Sequence, residues 1–239
     1  MTMSLLILLF ATLACFGLLF FFRHYYDSVA LISVAIGAAI NANIYNSATM
    51  PITAGWLIFG IDSMLYTLFM FTVIWRAKDY NVSSAKSLTV STVIAIIVSA
   101  IIEMFATWSF QGALSWNDGQ KIIGYVVSAF ATVLAVWVML WLFRTLEKKK
   151  RNAYLEFILC IWIASIIHSL FYHGLMALIS WEIPEHALRR WVGSFIVRSV
   201  CVGFGCLLYY LNGAFWNPRN LEVRYRDEAK NSDNSTDAK

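Results

Sequence analysis

Five ionisable side chains lie deep within apolar runs of the sequence: Asp62, Glu103, His168, His173 and Arg198. A charged group at the centre of a bilayer costs about 2.5–3.5 kcal/mol on insertion scales, so such groups face a bundle interior or a wet cavity. Their types suit ligand binding. A carboxylate accepts from a donor-rich edge, a guanidinium grips an acceptor or anion, and an imidazole exchanges a proton near neutral pH. Glu156 also falls in an apolar run, but so close to its end that it reaches the interface. The stretch "IASIIHSLFYHG" carries both histidines at a separation of five residues, a net rotation of about 140° around a helix. They do not share a face, which argues against a metal or haem site built from this helix alone. His168 falls in line with Ser165 and Tyr172, whereas His173 reads as a packed or interfacial histidine.

The elements that carry these groups follow from composition. The chain is 60% hydrophobic and 13% charged, with a mean hydropathy of +0.67; soluble domains carry about 25% charged residues. Apolar runs of about 20 residues recur, each long enough at 1.5 Å per residue to cross about 30 Å of hydrocarbon. The expectation is an all-α membrane protein, a polytopic bundle of about seven transmembrane helices over 4–22, 29–46, 52–75, 87–110, 122–144, 153–179 and 190–213. Residues 1–213 form one transmembrane domain, and the polar tail 214–239 is expected to be disordered. No basic residue precedes the first run, so it reads as a retained span and not a cleaved leader.

Lysine and arginine in the short loops set the orientation. With the N-terminus outside, the inner side holds Arg23, Arg76, Lys78, Lys86, Arg144, the run Lys148–Arg151 and the basic residues of the tail. The outer side holds only Lys121, Arg189 and Arg190. The net charge of +4 is thus an orientation signal, and nucleic-acid binding is not expected.

On that topology the costly groups gather between the midplane and the outer face. Asp62 falls near the middle of span three, Glu103 and Arg198 in the outer thirds of spans four and seven, and the histidines in the outer half of span six. Asn41, Asn43 and Asn46 lie toward the outer end of span two. Helical spacing collects Ser194, Arg198, Cys201 and Gly205 on one stripe, and Ser99, Glu103 and Thr107 on another. Gly55, Phe59, Asp62 and Tyr66 form a third. Span one has no polar stripe beyond Thr12 and reads as peripheral. Small residues on such stripes also serve helix packing.

Several classes are disfavoured. No span interior carries the lysine that a retinal Schiff base needs, and no zinc pattern or phosphate-binding glycine loop occurs. There is no recognisable Ser/His/Asp or metal-protease motif and no catalytic carboxylate pair, so neither an enzyme nor a cofactor is expected. Cys15, Cys160, Cys201 and Cys206 read as small apolar fillers.

The segments "LLILLFATLACFGLLFFFRHYYDSVALISVAIGAAINANIYN", "TAGWLIFG", "AYLEFILCIWIASIIHSLFYHGLMAL" and "SFIVRSVCVGFGCLLYYL" together resemble the VUT family of queuosine precursor transporters, bacterial proteins of the inner membrane. The resemblance lies in pattern and short motifs over most of residues 1–213. It includes Ala42-Asn43-Ile44, and the basic residue that the family often places at Arg198. It implies uptake of a small heterocycle, a 7-deazaguanine base. Glu103 would accept from the guanine-like edge, and Asn43 and Asn46 would add donors and acceptors. Asp62 would join them in the site, Trp108, Tyr172 and Trp191 would stack on the ring, and Arg198 would pair with Glu103 or an anionic ligand group. His168 would sense protons if uptake is proton-coupled. The implied partners are the small-molecule substrate and the lipid bilayer; a second copy or an energising partner is left open. The chain departs from the family at Thr67, Phe71 and His168, where acidic residues are common. The alternative is a substrate-binding or accessory subunit of a larger transport complex with a different ligand.

Overall fold

The computed structural model of the chain describes residues 2–44, 52–112, 116–147, 153–180 and 183–215. Among these, six helices follow one another: α1 (Thr2–Ile44), α2 (Ile61–Asp79), α3 (Val82–Gln111), α4 (Trp116–Glu147), α5 (Ala153–Ser180) and α6 (Pro184–Phe215). A hairpin of β1 (Ile52–Ala54) and β2 (Leu57–Phe59) lies between α1 and α2. The helix ends are written in the sequence. Asn81 accepts from the Ser84 N–H at 2.7 Å to cap α3, and Gly112, at φ +70°, closes it by donating its N–H to the Trp108 carbonyl. Pro184 opens α6, where its missing N–H costs nothing.

Among the described residues, four helices are long and apolar enough to cross a membrane: Val82–Phe110, Gly119–Glu147, Leu155–Ile179 and Pro184–Tyr210. They coincide with the four expected spans from residue 87 onward. Their outward faces are apolar, with Ile94, Ile101 and Phe105 on α3, Phe130 and Trp137 on α4, Leu170 on α5 and Val200 on α6 all exposed. Serines, threonines, histidines and an arginine are buried. This inversion of the soluble pattern is what a hydrocarbon surround selects.

The first half of the chain differs from expectation in two places. Residues 4–22 and 29–46 were expected to be separate spans, but α1 runs unbroken from Thr2 to Ile44. The intervening "RHYYDS" contains neither glycine nor proline, so nothing in it stops a helix. The end of α1 packs Leu31, Ala35, Ala38, Ala39 and Ala42 inward, alanines that allow close approach to α2. Phe16 and Leu19 are fully buried, so the first run is not purely peripheral.

Residues 52–75 were expected as one helical span, yet Ile52–Phe59 form a hairpin and only the part from Ile61 is helical. Here "ITAGWLIF" is β-branched and aromatic around a glycine, and strand pairing wins. Ile52 pairs with Phe59 and Ala54 with Leu57. The two-residue turn falls on Gly55 and Trp56, with Gly55 at φ +61°, as tight hairpin turns require. Beyond it, α2 touches every other helix and is buried along nearly its whole length. A helix sheathed by its neighbours need not be apolar enough to face lipid, which is why α2 can carry Asp62, Ser63, Tyr66, Thr67 and Thr72.

The hairpin is seated on α6 at Gly193. A Cβ there would fall 2.2 Å from the Ile58 carbonyl oxygen and 2.8 Å from its carbon. Arg189, one turn earlier on α6, donates from Nε to the Trp56 carbonyl at 2.6 Å. Since backbone and not a flexible side chain blocks the methyl, Gly193→Ala is expected to lower stability by roughly 1–3 kcal/mol. Gly203→Ala, on the same helix with nothing within 4 Å, should be neutral. Thermal unfolding of the two purified variants checks this, and equal midpoints would remove the hairpin from its seat.

Candidate functional site

Below the hairpin, α2, α5 and α6 bring their polar faces together. Arg198 on α6 is, after Trp75, the largest fully buried side chain. Its guanidinium carbon sits 5.7 Å from the Tyr66 ring centroid. Its Nη1 donates to the Ser165 carbonyl at 3.2 Å and approaches His168 Nδ1 at 3.2 Å. A guanidinium has donors only, so Nδ1 is the acceptor and the ring proton of His168 lies on Nε2. The His168 ring packs against that of Tyr66, with centroids 4.1 Å apart, and lies parallel to Tyr172 at 6.0 Å. The Tyr66 hydroxyl bonds Ser128 on α4 and also meets the Asn43 side chain of α1. A second chain of contacts joins three helices. Ser63 donates to Ser194 at 2.9 Å, and Ser194 lies 3.0 Å from His173 Nε2.

Asp62 is buried in the first turn of α2. Its charge acts on Tyr66, Tyr172 and Arg198, so it belongs to the same cluster. At the helix N-terminus it also meets the favourable end of the α2 dipole. Several polar atoms of the cluster are buried without a hydrogen-bond partner: Arg198 Nε and Nη2, His168 Nε2, the Tyr172 hydroxyl and the hydroxyls of Ser165 and Ser169. Such atoms are rare in native interiors, because each forfeits the bond it made with water.

The expected site residues therefore separate into groups. Asn43, Asp62, His168, Tyr172 and Arg198 come together. Glu103 does not join them. It was expected to pair with Arg198, but it accepts from the Tyr125 hydroxyl of α4 at 2.5 Å, while Arg198 is held by α5. The reason is helix order, since α3 packs on α4 and does not contact α6 closely. Trp108, expected to stack on a ligand, is exposed on the outward face of α3. Trp191 stacks on Phe195 of its own helix, centroids 6.3 Å apart. Asn46 lies outside the described residues. His173, read from sequence as packed or interfacial, is buried and in contact with Ser194. Although 140° around α5 from His168, it still meets α6, because Ser194 and Arg198 lie one turn apart along that helix.

Tyr66, Ser165 and Ser194 were visible on helical stripes; Ser63 and Ser128 were not. A serine in an apolar run reads as a small packing residue until its partner is known. The two α2 positions where the resembled family has acids are sealed. Thr67 donates to its own helix at the Ser63 carbonyl, 2.8 Å away, and Phe71 packs its ring edge-on to Phe16, Trp75 and Phe157.

No family model, curated protein or solved structure matches this chain. The cluster is thus interpreted from its own chemistry. A recess of about 110 Å³ between α3 and α4, lined by Ile97, Ala100, Ile101, Met104, Ile122, Tyr125 and Val126, is entirely apolar. It offers a polar heterocycle nothing to bond. Among the described residues, no group of three His, Cys, Asp or Glu side chains is arranged to hold a metal ion.

His168→Leu deletes the ring that accepts from Arg198 Nη1, and a buried donor that loses an acceptor costs about 1–3 kcal/mol. Trp108→Ala on the outward face should stay within about 0.5 kcal/mol. Thermal unfolding in detergent compares them. A neutral His168→Leu would mean that the histidine does not hold the arginine.

Proposed function

We propose that this chain is a multi-pass transporter that takes up a small polar heterocycle, with Arg198, His168, Tyr172, Asp62 and Asn43 forming its substrate site. The observation that carries the reading is Arg198. A buried charge with donors left open is expensive, and within a membrane such groups mark substrate and ion pathways. Tyr66 and Tyr172 add aromatic faces, while Asp62 and Asn43 add acceptors. The proposed orientation places the α2–α3 turn, the α4–α5 connection and the C-terminal end of α6 inside, supported by the placement of lysine and arginine, with the unbroken α1 counting as a single element. The hairpin and the start of α6 then lie toward the outside, above Arg198. The resemblance to queuosine precursor transporters suggests a 7-deazaguanine base as substrate and the bacterial inner membrane as location. Thr67 and Phe71 in place of acids suggest a divergent branch.

The test is rescue. The protein is expressed in a bacterium unable to make or import queuosine precursors, a 7-deazaguanine base is supplied, and queuosine is measured in tRNA. Restored queuosine is expected with the wild type. Arg198→Met should abolish it while leaving the protein folded and at least as stable, because an apolar side chain relieves the desolvation of a buried charge. Wild-type uptake by Arg198→Met would remove Arg198 from the site. Absence of rescue, with the protein shown to be in the membrane, would remove the 7-deazaguanine substrate.

A further inference from the structure

The way Arg198 is held narrows the ligand, resting on the reading of this cluster as a substrate site. In a guanidinium, the N–H bonds of Nε and Nη2 run parallel along one edge, and that edge grips two oxygens at once. Nη1 lies off this edge. In Arg198 the protein's acceptors, the Ser165 carbonyl and His168 Nδ1, both engage Nη1. Nε and Nη2 are buried and make no hydrogen bond. Thus α5 orients the guanidinium from the far side and leaves the two-pronged edge presented, with the side chain 1% exposed. The guanidinium lies over the Tyr66 ring, its carbon 5.7 Å from the ring centroid.

We infer that this edge is a receptor for a carboxylate carried by the ligand, with its two oxygens taken by Nε–H and Nη2–H of Arg198. A lone ring carbonyl would satisfy one of the two N–H bonds; a carboxylate satisfies both. The nearby chemistry has the same polarity. His168 Nε2 carries a proton, and the hydroxyls of Ser165 and Ser169 on that side of α5 are unbonded. Asp62 is the protein's own competing carboxylate. Its charge reaches Arg198, yet the edge holds no hydrogen bond to it.

Purified full-length protein in detergent is titrated with sodium formate and sodium benzoate, and its thermal unfolding midpoint is followed. Sodium chloride at equal ionic strength, formamide and benzamide are the controls, the amides having the same shape with one carbonyl and no charge. A saturable rise is expected with a carboxylate and not with chloride or the amides. Arg198→Lys keeps the charge but loses the parallel edge, and should weaken the carboxylate effect about tenfold or more, as expected for a charge-assisted pair of hydrogen bonds. If that variant does not fold, Arg198→Gln takes its place with the same expectation. The inference is overturned if neither carboxylate gives a saturable shift beyond chloride, if the amides match the acids, or if the effect survives loss of the arginine. Transport is read separately by the tRNA assay. Carboxylate binding without uptake would leave the receptor and remove transport, and uptake without carboxylate binding would do the reverse.

Discussion

A guanidinium enclosed in a helical bundle constrains everything around it. Removing such a charge from water costs several kcal/mol even after the protein relaxes, and the loss is recovered only through acceptors and ring faces in good geometry. For Arg198 these come from two other helices. α5 supplies the Ser165 carbonyl and the His168 ring, and α2 supplies Tyr66. Each supplier is itself tied elsewhere, Tyr66 to Ser128 on α4 and His168 by ring contact to Tyr66 and Tyr172. One charged side chain thereby fixes the relative positions of α2, α4, α5 and α6.

This arrangement depends on α2 being sheathed by the other helices. That helix is buried along nearly its whole length and carries hydroxyls and a carboxylate that hydrocarbon would not tolerate. The outer helices accept the opposite demand and turn isoleucine, valine, phenylalanine and tryptophan outward. At one end of α2 the hairpin replaces the helix, and it fits only because α6 has no side chain at Gly193. The other end is closed by rings, with Phe157 and Tyr209 stacked 4.5 Å apart and Lys78 held over both. The polar cluster therefore sits between a hairpin-covered end and an aromatic end, within a shell that presents apolar surface to its surroundings.

Which residues would form the cluster was partly legible in one dimension. Asp62, His168 and Arg198 stand out because a costly group in an apolar run must be hidden from lipid, and that inference needs no partner. Tyr172 follows from its spacing to His168, and Asn43 from its depth. Partnership was not legible. Glu103 and Arg198 were assigned the same depth and opposite charge, yet they sit on helices that do not pack together, and Glu103 instead meets Tyr125. Ser63 and Ser194, 131 residues apart, bond each other, and nothing in the run around either distinguishes them from packing residues.

Of the seven spans expected, the sequence by itself determined the four long apolar helices from residue 82 onward, together with the largely helical character of the chain and the turn of Asp62, His168 and Arg198 into the interior. These follow from hydropathy and from a 3.6-residue period, both properties of a single segment. The tertiary structure decided what each inward group meets. It joined 2–44 into one helix, folded 52–59 into a hairpin, and separated Arg198 from Glu103, the carboxylate that the sequence offered as its partner. Local periodicity fixes which face of a helix is polar. Its rotation and height against another helix are set by interlocking side chains distant in sequence, and only the packed chain supplies those.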